Sequence, residues 1–189
     1  MGRVEAEQTL EAVAGLRQRA RADVRALWFP LVLFGLLTLL SVLIGEATGN
    51  VSGLFWAAAG PAGAVVTAIY YSRCWDQVGV SGAGAAFFLT GVAILVGVFA
   101  FAALASALGS QRAAALVPVL IVSAGYIVFA WLERSVFVAM IAVALCLVAL
   151  ALFAAGVSAQ ELRLVLALVY GVVFVVSGLV YCRAGRGGL

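Results

Sequence analysis

The chain has 189 residues, of which 66% are hydrophobic and 10% are charged, and its mean hydropathy is +1.22. Soluble domains are nearer half apolar and about a quarter charged, so this composition excludes an ordinary soluble domain. All 11 basic residues are arginine, and the net charge of +3 indicates no nucleic-acid partner.

Residues 1–25 are predicted to form a cytoplasmic amphipathic helix that leads into the first apolar run. Acidic residues occupy its first half and arginines its second half, which complements the helix dipole. Arg17, Arg21 and Arg25 recur at four-residue spacing, where they would meet anionic lipid headgroups at the inner surface. Two interpretations stay open: a topogenic anchor, or a docking helix for a cytosolic protein or a second copy of the chain.

Six apolar runs without internal charges follow. A helix rises ~1.5 Å per residue, so about 20 residues cross the ~30 Å hydrocarbon core. The sequence therefore predicts an all-α polytopic membrane protein with a six-helix transmembrane domain over residues 26–182 and a short cytoplasmic tail over 183–189. The six runs are 26–44, 54–71, 85–108, 113–132, 136–155 and 162–182.

The arginines also predict the orientation of the chain. With the N-terminus inside, nine arginines fall on cytoplasmic segments and two, Arg112 and Arg163, fall on outer loops. Both termini are thus expected in the cytoplasm. Arginine as the only basic residue, together with abundant Ala, Gly, Val and Leu, is typical of a GC-rich bacterial genome, so we expect the bacterial inner membrane.

Small residues and one loop stand out along the bundle. Gly171, Gly178 and Gly185 recur at seven-residue spacing and suit close helix contact.

The run 136–155 is nearly all Val, Ile, Leu, Ala and Phe and is expected to face lipid at the rim. The longest predicted inner loop, 72–84, carries Arg73, Trp75 and Asp76 as candidate docking residues for a cytosolic partner.

The polar content of the runs excludes several kinds of chemistry. Coupled transporters usually need a carboxylate, Arg, Lys or His inside the membrane, and none lies in these runs. Without His, zinc and haem sites lose their commonest ligand, and a Ser–His pair cannot form; without Lys, neither can a Ser–Lys pair. We therefore expect no enzyme, no cofactor and no metal.

A few mild polar or helix-interrupting residues remain inside the runs. They would line a small polar cavity, or they would serve as kinks and packing contacts; the sequence leaves both open. The two tyrosines need hydrogen-bond partners if they are buried. The candidates are Gly60, Pro61, Gly63, Pro118, Ser123, Tyr126 and Tyr170.

The layout of an amphipathic N-terminal helix followed by six spans with both ends inside resembles the membrane subunits of ABC-2 type exporters. In that family the loop after the second span touches the ATPase, and 72–84 occupies this position. The outer loop before the last span, 156–161, is shorter than that family's. The leading hypothesis is a non-enzymatic partner or accessory subunit that binds the lipid bilayer and a cytosolic protein or a second copy. The alternative is a transporter or channel for a small neutral or apolar solute.

Overall fold

The structure, a computed structural model, describes residues 27–48, 52–78 and 83–186, which fold into six helices joined by short connections. Residues 1–26, with the predicted N-terminal helix, lie outside the described residues. The helices, in chain order, are α1 (Trp28–Thr48), α2 (Ser52–Val78), α3 (Ala83–Ala107), α4 (Gln111–Leu132), α5 (Val136–Ala154) and α6 (Ala159–Arg186).

Five of these helices are long and apolar enough to cross a membrane, namely α1 and α3 to α6. The predicted all-helical fold is therefore confirmed, and these five helices suit a membrane protein by their length and composition. Helix α2 has the length, with 27 residues, but Gly60, Pro61, Gly63 and its aromatic residues dilute its apolar character. The count of six spans accordingly remains a prediction.

The sequence-based boundaries of the inner loop 72–84 were wrong. Helix α2 continues to Val78, and α3 already begins at Ala83. Polar side chains such as those of Ser72 and Arg73 end an apolar run but do not end a helix, because each added residue still gains one backbone hydrogen bond. The last helix likewise continues past Cys182 to Arg186, into the predicted tail.

Three tight turns follow one pattern. Two residues after the end of each of α3, α4 and α5 lies a residue of positive φ: Gly109 at 73°, Arg134 at 54° and Gly156 at 76°. In the first two turns the next amide donates back to the helix, from Ser110 to the Ala105 carbonyl and from Ser135 to the Ala130 carbonyl. The helix after each turn is capped at its N-terminus by a serine whose hydroxyl accepts a hydrogen bond from a backbone amide of the first turn. These serines are Ser110, Ser135 and Ser158.

Helices α1 and α6, the terminal pair, make the most intimate contact in the bundle. A β-carbon on Gly35 would lie 2.9 Å from the Gly171 carbonyl oxygen, and one on Gly178 would lie 2.9 Å from the Trp28 carbonyl oxygen. Only glycine allows two helix backbones to approach this closely. The seven-residue glycine spacing of α6 therefore marks the face that α1 covers.

Helices α3, α4 and α5 form the central trio, packed side by side around α4. The side chain of Ile94 lies directly over Gly125, where a β-carbon would come within 2.1 Å of its Cδ1. The assignment of residues 136–155 to the lipid-facing rim stays a prediction: 22% of the α5 span is buried in the bundle, and its other residues are exposed or half-buried. Helix α5 buries one side through a helical stripe of Val138, Ala142, Leu145 and Ala149.

Helix α2 packs between the terminal pair and the central trio. Gly60 faces Leu95 of α3, and Gly63 faces Phe34 and Leu37 of α1. Both glycines are buried, whereas Pro61 is half-buried, and the helix continues through it. The predicted contact of these glycines with neighbouring helices is thus present.

We expect Gly35→Ala to lower the stability of the bundle by about 1–3 kcal/mol, the usual penalty of overpacking. Its new methyl group would meet the backbone of α6 at 2.9 Å, and backbone atoms cannot rotate away. The measurement is thermal unfolding of the purified protein in detergent.

The matched control is Gly91→Ala, also within a helix, where nothing lies within 4 Å of an added β-carbon. Both substitutions gain the same helix propensity, so their difference isolates the steric contact. Equal unfolding midpoints for the two variants would contradict close packing of the terminal pair.

Candidate functional site

A buried hydrogen bond joins the central trio to the terminal pair. The Ser123 hydroxyl of α4 and the Tyr170 hydroxyl of α6 lie 2.7 Å apart. Both residues are almost inaccessible, with 1% and 4% of their surface exposed. Pro118, one of the two prolines among the candidate residues, lies five residues before Ser123 on the same helix.

An aromatic cluster continues from this bond. The Tyr126 ring lies 4.6 Å from the Phe174 ring and 5.9 Å from the Phe129 ring, while Tyr170 contacts Phe174 at 5.7 Å. Tyr170 has the hydrogen-bond partner that the sequence demands. For the buried Tyr126, the described contacts are those of its ring with the Phe129 and Phe174 rings. The structure therefore brings Ser123, Tyr126 and Tyr170 into one packed region.

The other predicted residues lie elsewhere. Gly60, Pro61 and Gly63 belong to α2, where the two glycines pack against α1 and α3 rather than against Ser123 or Tyr170. Helix α4 continues through Pro118, as α2 does through Pro61. The predicted set thus divides into one polar contact between α4 and α6 and one glycine contact on α2.

A second polar cluster, which sequence reasoning missed, lies where α4 and α6 end. The Tyr181 hydroxyl donates to Oε2 of Glu133 at 3.2 Å. Tyr71, from α2, is buried against Phe129 and Leu132, and Glu133 is an electrostatic neighbour of its hydroxyl. The available signal was weak: an acid directly after α4, with tyrosines near the ends of α2 and α6.

Arg112 joins two helices at the opposite end of the bundle. Its guanidinium donates to the Phe153 carbonyl, in the last turn of α5, and lies over the Phe153 ring at 4.6 Å. A cation at a helix C-terminus satisfies carbonyls that have no partner within the helix. One of the two arginines predicted on the outer side therefore has a structural role that the sequence did not indicate.

The candidate docking residues are described only in part. Arg17, Arg21 and Arg25 lie outside the described residues, and so do the side chains of Trp75 and Asp76, although their backbone continues α2. Arg73 is exposed. It follows Tyr71 by two residues, which places it at the same end of the bundle as Glu133 and Tyr181.

The comparisons with known proteins give no assignment. No protein-family model, no curated protein and no solved structure matches the chain. Within residues 27–48, 52–78 and 83–186, no three His, Cys, Asp or Glu side chains come together as a metal site.

We expect Ser123→Ala and Tyr170→Phe each to destabilise the bundle, and the double variant to lose less than the sum of the two. The bond is buried, and interhelical hydrogen bonds in membranes contribute about 0.6 kcal/mol on average. The measurement is the unfolding free energy of the four proteins in one detergent.

Ser106→Ala, at an exposed position of α3, serves as the control and should leave the unfolding free energy unchanged. Strictly additive effects of the two core substitutions would show that the hydroxyls do not stabilise each other.

Proposed function

We propose that the chain is a non-enzymatic subunit of the bacterial inner membrane that binds a cytosolic partner at the end where α2, α4 and α6 finish. The observation that carries this proposal is how the interior polar groups are used. Ser123 binds Tyr170, Tyr181 binds Glu133, and Arg112 caps α5. These contacts hold helices together, as expected of a scaffold, and the six apolar runs of the sequence contain no charged side chain.

The contacts of α2 support six spans, although α2 is the least apolar helix. Near its end, Tyr70 stacks on Phe29 at the start of α1, with 4.3 Å between ring centroids. Tyr71 packs against Leu132 at the end of α4. Helix α2 therefore runs antiparallel to α1 and reaches the level where α4 ends. A helix that contacts spanning neighbours from its middle, at Gly60 and Gly63, to Tyr71 near its end is itself expected to span the membrane.

The distribution of charge supports the docking end. Three exposed arginines lie near the ends of α2, α4 and α6: Arg73 in the last two turns of α2, Arg134 just after α4 and Arg183 in the last turn of α6. By the positive-inside rule this end faces the cytoplasm. The arginine stripe of residues 17–25 would join them there. An acidic surface of a cytosolic protein fits this set of cations.

The proposed topology predicts where reporter proteins are active. Green fluorescent protein fused to Met1 or to Leu189 should fluoresce, because it folds in the cytoplasm. Alkaline phosphatase inserted after Val157, in the turn between α5 and α6, should be active, because it needs the outer side. An active phosphatase at either terminus would contradict the six-span topology.

The docking role predicts that a stoichiometric partner is cross-linked to the full-length protein in native membranes. Deletion of residues 2–15 and Arg73→Ala should both lower its yield several-fold while leaving the amount of inserted protein unchanged. Arg163→Ala, an exposed arginine at the opposite end, is the matched control and should retain the partner.

Two results would contradict the subunit proposal. The first is a yield that falls equally for Arg73→Ala and Arg163→Ala. The second is the lack of any stoichiometric partner together with solute uptake by vesicles that contain the purified protein, which would support the transporter instead.

A further inference from the structure

An open groove lies between the end of α4 and the start of α5. Its volume is about 610 Å³, within the ~300–1,000 Å³ range of small-molecule sites. Apolar side chains form its walls, with Ile127 and Trp131 on α4 and Val136 and Ala139 on α5. Arg134 and Ser135 line it at the turn, so it carries one positive charge at the end of two apolar walls.

The backbone of Arg134 is the unusual feature of this groove. Its φ of 54° is left-handed, a conformation that L-residues other than glycine rarely adopt. The two equivalent turns of the bundle use glycine at this position, Gly109 and Gly156. An arginine that occupies a position favouring glycine indicates that its side chain has a use that outweighs the backbone preference.

We propose that this groove binds the headgroup of an anionic phospholipid, with Arg134 on the phosphate and the acyl chains along Ile127 and Ala139. Trp131 is 77% exposed beside Arg134, as suits an aromatic ring at the headgroup level. Glu133 does not line the groove, and its carboxylate accepts the hydrogen bond from Tyr181. The positive charge at the groove is therefore not offset by a lining carboxylate.

The position in the fold identifies the occupant as a lipid. The open groove is lined by two helices long enough to span the membrane, and its cation lies in the turn just beyond the end of α4. A molecule that fills it must present apolar chains along the helices and a negative charge at the surface. An anionic phospholipid has this distribution, whereas a phosphatidylcholine carries a headgroup cation that Arg134 would repel.

Trp131 itself reports occupancy of the groove, because bromine on a bound acyl chain quenches tryptophan fluorescence. The full-length protein would be placed in nanodiscs with brominated phosphatidylglycerol or brominated phosphatidylcholine. Subtracting the signal of Trp131→Phe isolates this residue from the other three tryptophans. We expect the groove to favour phosphatidylglycerol about fivefold, the contribution of one arginine near an anionic surface.

Four variants separate lipid binding from other roles of the arginine. Arg134→Gly and Arg134→Asn both tolerate the left-handed turn and should abolish the preference. Arg134→Lys keeps the charge and should retain most of it. Arg163→Ala, at the other end of the bundle, should leave the preference unchanged.

Three outcomes would overturn the proposal. Equal quenching by both lipids in the unmodified protein would show ordinary contact with the bilayer, and Arg134 would then serve topology alone. A preference that survives in both Arg134→Gly and Arg134→Asn would place the lipid site elsewhere. The lack of quenching by either lipid, together with a dimeric mass, would show that a second copy covers the groove.

Discussion

The bundle depends on the close approach of its first and last helices. Gly35, Gly171 and Gly178 have no side chain of their own, so that backbone and side-chain atoms of the facing helix lie directly against them. In lipid the hydrophobic effect does not press helices together, and packing of this kind supplies much of the association energy. Because α1 and α6 come from opposite ends of the chain, their contact closes the bundle.

The polar contacts between α4 and α6 depend on the position that α6 takes when it packs against α1. Ser123 on α4 meets Tyr170 on α6 once the terminal pair is in place, and Glu133 meets Tyr181 further along the same two helices. Each of these contacts joins residues remote in sequence. They align α4 against α6 along its length, and so connect the central trio to the terminal pair. Their role in the architecture is the main physical support for the proposed subunit.

Some features were predictable because their cause is local. Length and apolar composition alone predict the helices, and the glycine spacing of α6 indicates its contact face. The loop 72–84 was mispredicted because an apolar run and a helix end for different reasons. Three features were not predictable, since each depends on which helices become neighbours. They are the helix that packs against Gly171, the hydrogen bond between Tyr181 and Glu133, and the buried side of α5.

The sequence by itself determined that the chain is helical and belongs in a membrane, because span length and the lack of internal charge are properties of single segments. Only the tertiary structure decided which polar groups pair and where a charged groove forms. Arg134 illustrates the difference: in the sequence it is one arginine of a short loop, identified by the positive-inside rule. Its left-handed backbone belongs to the turn after α4, whereas the groove beside it exists only when α4 and α5 pack together.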